Sequence, residues 1–181
     1  MITGCAQLES IKKESTGVQQ VAEDSTNNFS KITNDLRLID AKIKRVVDGD
    51  TMRVLINNQE ETIRLLLVDT PETKKQGTPV QPFGPEASDY AKEILITGKS
   101  VKLEIDVSES DKYSRLLVYL WVDDILFNEL LLVKGLARVA YVYPPNVKYV
   151  EQFRALQKQS QESSIGIWSI ENYVQEDGGF N

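Results

Sequence analysis

The chain has 181 residues, 41% of them hydrophobic, with 21 Lys and Arg against 27 Asp and Glu, no histidine and one cysteine. That is enough for one core plus a tail rather than two domains, and the net charge of -6 argues against a broad electrostatic grip on nucleic acid while leaving room for a local basic cleft. The inventory excludes a histidine general base, a Ser-His-Asp triad, a zinc site and a disulfide framework, so any metal must be held by oxygen, which points to a hard cation such as Ca²⁺ or Mg²⁺.

Met1-Ile2-Thr3-Gly4-Cys5-Ala6 resembles the end of a bacterial lipoprotein signal, with Cys5 as the lipidated residue. The charged and apolar regions of such a signal are not in the sequence, and an incidental cysteine is the alternative. Residues 6–40 are rich in Ser, Thr, Gln, Asn, Glu and Lys, and contain a single aromatic, Phe29. Such a segment buries too little apolar surface to offset its ordering entropy. It is expected to be a tether (residues 1–40) ahead of a folded domain (residues 41–181). A lipidated Cys5 would tie the protein to a membrane surface, so an extracellular or cell-surface location is expected. No apolar run approaches the ~18 residues of a membrane span. The folded part, with 17 Lys and Arg against 21 Asp and Glu, is acidic too.

From Ala41 the pattern is strand, tight turn at Asp48-Gly49-Asp50, and strand through Ile56. Asn57 to Glu60 is a second turn, and Ile63 enters a third strand. The run Arg64-Leu65-Leu66-Leu67-Val68 reads as a strand buried on both faces, ended by Asp69-Thr70-Pro71-Glu72-Thr73. Charges this close to an apolar run need partners, so Arg64, Asp69 and Glu72 are read as parts of one site. In a regular strand Arg64 and Asp69 point to opposite faces, so they share a site only if the strand bends or ends before Asp69. The cationic, proline-containing stretch 74–82 is expected to be a surface loop beside that site.

Gly84 at a cap, Pro85 in the first turn and Glu86 near the positive end start a helix, with Ala87, Tyr90, Ala91, Ile94 and Leu95 inward and Gly98 as its stop. Val101, Leu103 and Ile105 alternate with Lys102, Glu104 and Asp106, as in a half-buried strand. Residues 108–115 read as a polar loop, 116–122 as a strand, and Phe127 to Val133 as a short helix ended by Gly135. A last amphipathic helix is expected over about 147–163, with Tyr149, Phe153 and Leu156 inward. Five strands with a helix after the third fit an α+β, mainly β, fold: a five-stranded barrel of OB type with three helices.

Val47-Asp48-Gly49-Asp50-Thr51, Arg64 through Thr73, Gly84-Pro85-Glu86-Ala87-Ser88, Asp111-Lys112-Tyr113 with Arg115, and Gly135 through Tyr143 together resemble the staphylococcal nuclease (thermonuclease) family over residues 41–171. The resemblance implies a monomeric Ca²⁺-dependent phosphodiesterase that cuts DNA and RNA to 3′-phosphate ends. It implies Asp50 and Asp69 as carboxylate ligands of Ca²⁺ and Thr70 as a ligand through its carbonyl. Glu72 would orient or deprotonate the attacking water. Arg64 and Arg115 would hold the scissile phosphate, and Lys112, Tyr113 and Tyr141 would contact the nucleotide. Ser114 stands where the family usually has glycine, and if that position needs φ > 0 the serine adds strain.

The chemistry asks for the same residue types. Phosphodiester hydrolysis needs a nucleophilic water, a metal bridging anions and fixed positive charge for the transition state. Arginine suits the phosphate because its planar fork grips two oxygens. Two rival readings are a non-catalytic nucleic-acid-binding module on the same barrel and a surface-tethered scaffold whose barrel is purely structural. The joint presence of Asp50, Asp69, Glu72, Arg64 and Arg115 favours the enzyme.

Overall fold

A computed structural model describes residues 37–73, 79–175 and 179–181. Cys5, nearly all of the expected tether, and residues 74–78 of the expected surface loop lie outside the described residues. Strand β1 (Arg37–Asp48) starts the fold, followed by β2 (Thr51–Ile56) and β3 (Gln59–Leu65). The β2–β3 connection is the two-residue turn Asn57-Asn58, whose φ values of 49° and 66° give the right-handed strand twist that such hairpins need. Strand β5 (Ser100–Ser110) pairs with the first half of β1, β6 (Leu116–Val122) pairs with β5, and the short β7 (Ile125–Leu126) pairs with β6. A parallel pairing of Ile63, Arg64 and Leu65 with Leu116, Leu117 and Val118 then joins β3 to β6. Strands β1, β2, β3, β5 and β6 close into the expected barrel and leave no open edge between β3 and β6.

Met52, Val54, Ile63, Leu103, Val118 and Leu120 fill the barrel and are fully buried. Three helices cover it: α1 (Gly84–Ile94), α2 (Phe127–Val133) and α3 (Val150–Glu162). Helix α1 buries Ala87 and Ala91. Its cap is Phe83, at φ 63°, rather than Gly84. It stops at Ile94, before Gly98, whose φ of 85° serves the turn into β5 and whose N–H donates to the Ile43 carbonyl. Helix α2 ends at Gly135, as its sequence predicts. There the chain passes so close to Gly166 that a Cβ on either residue would lie within 2.4 Å of the other segment's backbone.

Three further expectations are corrected. The apolar run does not continue as a strand through Val68. Strand β3 ends at Leu65, Leu66 and Leu67 form a turn with Leu67 at φ 61°, and a two-residue strand, β4 (Val68–Asp69), follows. The turn is buried, and its polar groups are met from elsewhere: Leu66 N–H donates to the Val118 carbonyl, and Asn128 Nδ2 donates to the Leu66 carbonyl at 2.9 Å. Four buried apolar side chains therefore mimic a strand that the backbone does not form. Second, β5 runs to Ser110, so the loop expected from Ser108 is shorter. Third, Glu104 is not on a solvent face. It is 1% exposed, because Trp121 Nε1, Tyr149 Oη and Lys148 Nζ all donate to its carboxylate.

Candidate active site

The break after Leu65 brings Arg64 and Asp69 together. Arg64 Nη1 donates to the carbonyls of Leu65 and Val68, each at 2.8 Å. The turn thus wraps around the guanidinium, and those bonds offset the left-handed Leu67, which costs roughly 1–2 kcal/mol. Arg64 Nη2 then lies 2.9 Å from Asp50 Oδ2 and 3.4 Å from Asp69 Oδ1. Asp50 reaches the same place from the β1–β2 turn and accepts from Thr51 Oγ1 and the Thr70 amide. Arg64, Asp50 and Thr70 are all buried, so each charge has a partner, as burial demands.

Asp69 pairs through β4 with Arg138 on β8 (Arg138–Val139). Arg138 Nε and Nη2 both donate to Asp69 Oδ2, at 3.1 and 2.9 Å. Even so, the Asp69 pKa is raised: burial dominates, the Asp50 charge adds to it, and the two arginines only partly counter them. Asp48 shows the same logic. Burial first, and then a hydrogen bond with the Glu72 carboxyl, push it up to about 6. Its Oδ1 accepts from Gly49 N–H and Thr73 Oγ1, both at 2.9 Å, tying the β1–β2 turn to the segment carrying Glu72.

Arg115 is held by Asp111, whose Oδ2 accepts from Nε at 2.8 Å and lies 2.7 Å from Nη2. Asp111 Oδ1 accepts the amides of Tyr113 and Arg115. Burial pushes Asp111 up, but these bonds together outweigh it and leave its pKa below the ordinary carboxylate value. The Tyr113 ring lies under both Lys112 and Arg115, and the Tyr141 ring lies 5.5 Å from the Arg64 guanidinium carbon. Ser114 has φ 59°, so the condition for strain at this position is met.

Asp50, Arg64, Asp69, Thr70, Glu72, Lys112, Tyr113, Arg115 and Tyr141 all line one cleft of about 880 Å³. Every site residue expected in the folded part is therefore in it. Asp48 and Asp111 line it too, and Arg138 stands behind Asp69; sequence reasoning assigned these three no role. Arg138 did carry a signal, since it is a lone cation inside the apolar run Ala137 to Ala140, as Arg64 is in its own run. Asp111 carried none beyond its spacing from Arg115. Among the described residues no group of three or more carboxylate or thiolate side chains forms a closed metal cage. The expected donor set, two carboxylates and a backbone carbonyl, is all oxygen. The Asp50 charge disfavours the Asp69 anion, which fits a hard cation bound with open positions.

The family model for staphylococcal nuclease homologues matches residues 62–170. Endonuclease YncB of Bacillus subtilis is 43% identical over 179 residues, covering 93% of this chain and 84% of its own. The thermonuclease of Staphylococcus intermedius is 45% identical over 140 residues, covering 77% of this chain and 82% of its own. The SPbeta prophage-derived endonuclease YokF of Bacillus subtilis is 48% identical over 145 residues, which cover 80% of this chain and 48% of YokF. With a closed barrel, this cleft and these relatives, the chain belongs to the staphylococcal nuclease family.

Proposed function

We propose that the protein is a Ca²⁺-dependent endonuclease that hydrolyses DNA and RNA to 3′-phosphate products. The observation that carries this reading is the convergence in one cleft of the Glu72 carboxylate, two carboxylates that share the Arg64 guanidinium, and a second arginine, Arg115, held by Asp111. Endonuclease activity is further supported by the names of two relatives. The finer terms, Ca²⁺ and the 3′-phosphate products, are supported by the family resemblance and by the oxygen donor set.

Asp50, Asp69 and the Thr70 carbonyl would hold the cation, which when bound supplies a Lewis acid for the phosphate oxygens. Glu72, at the rim of the cleft, takes the proton of the attacking water. Arg115 is steered by Asp111 and presents its remaining N–H groups to the phosphate, where they stabilise charge that grows in the transition state. Arg64 is fixed by four acceptors and contributes permanent positive charge at low reorganisation cost. Tyr113 and Tyr141 offer exposed ring faces on which bases can stack, and Lys112 offers a mobile charge for a neighbouring phosphate. The same proposal covers a monomer outside the cell or at its surface, with Cys5 as a lipid anchor. It is supported by the resemblance of residues 1–6 to a lipoprotein signal, and intact mass from a native host tests the anchor.

The deciding experiment is hydrolysis of denatured DNA with Ca²⁺ and with excess chelator, wild type beside Glu72→Ala. We expect cutting that needs Ca²⁺ and a kcat lower by roughly 10²–10⁴ in the variant, the range for loss of a general base. Binding without cutting in the wild type would replace the enzyme by the binding module.

A further inference from the structure

Two short strands, β9 (Val174–Gln175) and β10 (Gly179–Phe180), pair antiparallel. No step of the proposed reaction uses this pair, yet with Tyr173 it touches the supports of two cleft residues. Glu72 has both main-chain polar groups bound by Gln81: its N–H donates to Gln81 Oε1 at 2.7 Å, and its carbonyl accepts from Gln81 N–H at 3.0 Å. The other half of the Gln81 side-chain amide, Nε2, donates to the Phe180 carbonyl at 3.3 Å. The next residue is gripped as well, since Tyr173 Oη donates to the Pro82 carbonyl at 2.6 Å. The Phe180 ring packs on Tyr173 with centroids 5.4 Å apart. On its other side it lies 5.5 Å from the guanidinium carbon of Arg138, the arginine that holds Asp69.

We propose that this strand pair, with Tyr173, is a positioning element: it fixes the main chain of Glu72 through Gln81 and the carboxylate of Asp69 through Arg138. The proposal rests on the endonuclease reading for its effect on rate, but the brace itself is a statement about structure. The amide of Gln81 has an acceptor oxygen on one side and an NH2 donor group on the other. With Phe180 taking the donor, the acceptor is committed to Glu72, and the amide cannot turn over without losing both bonds. Pro71 has no N–H to add a tie before Glu72, so the clamp falls where the backbone is short of bonds. A residue displaced by about 1 Å at such a site can cost on the order of 10²-fold in rate.

The test compares Gln81→Ala, deletion of residues 174–181, and the two combined. A brace predicts that each single change lowers kcat by about 10-fold to 100-fold with KM within about twofold. The combined variant then loses less than the two single losses together, because the two changes share the route through Glu72 and only the deletion also removes the support of Arg138. It also predicts, without metal or substrate, that hydrogen exchange at the Glu72 amide speeds up at least about tenfold in Gln81→Ala while barrel amides stay protected. Unchanged kcat with unchanged Glu72 exchange in Gln81→Ala would overturn the proposal, and that variant decides the matter if the deletion fails to fold. Losses of kcat that add, alongside faster exchange across the barrel, would overturn it in favour of general stability. If the wild type proves inert, the endonuclease reading falls, and the exchange at Glu72 alone upholds or overturns the brace.

Discussion

Replacing Ser114 by glycine should stabilise the protein. Ser114 sits in the left-handed region at φ 59°, which costs an L-residue roughly 1–2 kcal/mol. The turn cannot relax out of it, because the bonds around it close from both sides. Ser114 N–H donates to the Asp111 carbonyl, Asp111 N–H donates to the Arg115 carbonyl, and Asp111 Oδ1 takes two further amides. Glycine removes the strain but adds freedom to the unfolded chain, a debit of roughly 0.5–1 kcal/mol. The net gain is about 0.5–1 kcal/mol, or about 1–4 °C in Tm for a chain of this size. Thermal unfolding in chelator, by calorimetry and circular dichroism, measures it against Ser114→Ala, which keeps the strain and should gain nothing. Because Arg115 stays bound to Asp111, kcat should hold within about twofold. A lower Tm for Ser114→Gly, or an equal gain for Ser114→Ala, would refute the reasoning, since the backbone would then not be the source of the cost.

Asp111→Asn keeps an acceptor for the Tyr113 and Arg115 amides but loses both contacts to the guanidinium; kcat should fall about 10-fold to 100-fold with little change in Tm, and steady-state kinetics beside a melt checks it. Asp48 has its pKa raised in the fold to about 6, so the folded state binds more protons than the unfolded one between about pH 4 and pH 6. In chelator, stability should therefore rise as pH falls through that window, and Asp48→Asn, which supplies a permanent donor to Glu72, should raise stability at pH 7 and flatten the dependence in urea titrations. A methyl added at Gly84 would lie 2.9 Å from Thr73 Cγ2 and 3.0 Å from the Glu72 carbonyl, so Gly84→Ala should cost roughly 1–3 kcal/mol and lower kcat by shifting Glu72, seen by denaturant titration and kinetics. Among the described residues, Arg64, Arg115 and Lys112 offer cations to phosphate in the cleft, so binding of denatured DNA by Glu72→Ala should fall with salt at a log–log slope near about -2; a slope steeper than about -5 would mean a wide basic surface instead.

The barrel was legible because its strands carry their pattern locally: Val101, Leu103 and Ile105 alternate, and the polar run from Asn57 marks a turn, read as four residues where the structure uses two, Asn57 and Asn58. Arg64, Asp69 and Glu72 were legible as a set because charges flank an apolar run and a buried charge needs a partner, whereas Asp50, Thr70, Lys112, Tyr113, Arg115 and Tyr141 came from the family resemblance. What the sequence hid is where backbone and side chains disagree. Leu65 to Val68 look like a strand because all four are buried, and hydropathy reports burial rather than φ. The bonds from Arg64 to two carbonyls, with those joining Leu66 to Val118 and Asn128, hold the bend there. Glu104 looks solvent-facing because its partners Trp121, Lys148 and Tyr149 are 17 to 45 residues away. The brace from Phe180 to Gln81 spans 99 residues and leaves no local mark at all.

The acidity of the chain and its affinity for a polyanion are reconciled in the cleft. Among the described residues its lining holds five carboxylates (Asp48, Asp50, Asp69, Glu72 and Asp111) against three cations. Those cations are largely committed: Arg64 to Asp50 and Asp69, and Arg115 to Asp111. Commitment fixes each guanidinium before substrate arrives, which favours catalysis, but it cancels the attraction a phosphate would feel. A bare cleft with this lining repels phosphate, and one divalent cation on Asp50 and Asp69 brings the lining to neutrality. Under the proposed reading, metal and nucleic acid each improve the site for the other. By linkage the gain is the same in both directions: whatever factor Ca²⁺ adds to the affinity for nucleic acid, nucleic acid adds to the affinity for Ca²⁺. A site with only two carboxylates can therefore bind its metal weakly when empty and firmly when substrate is present.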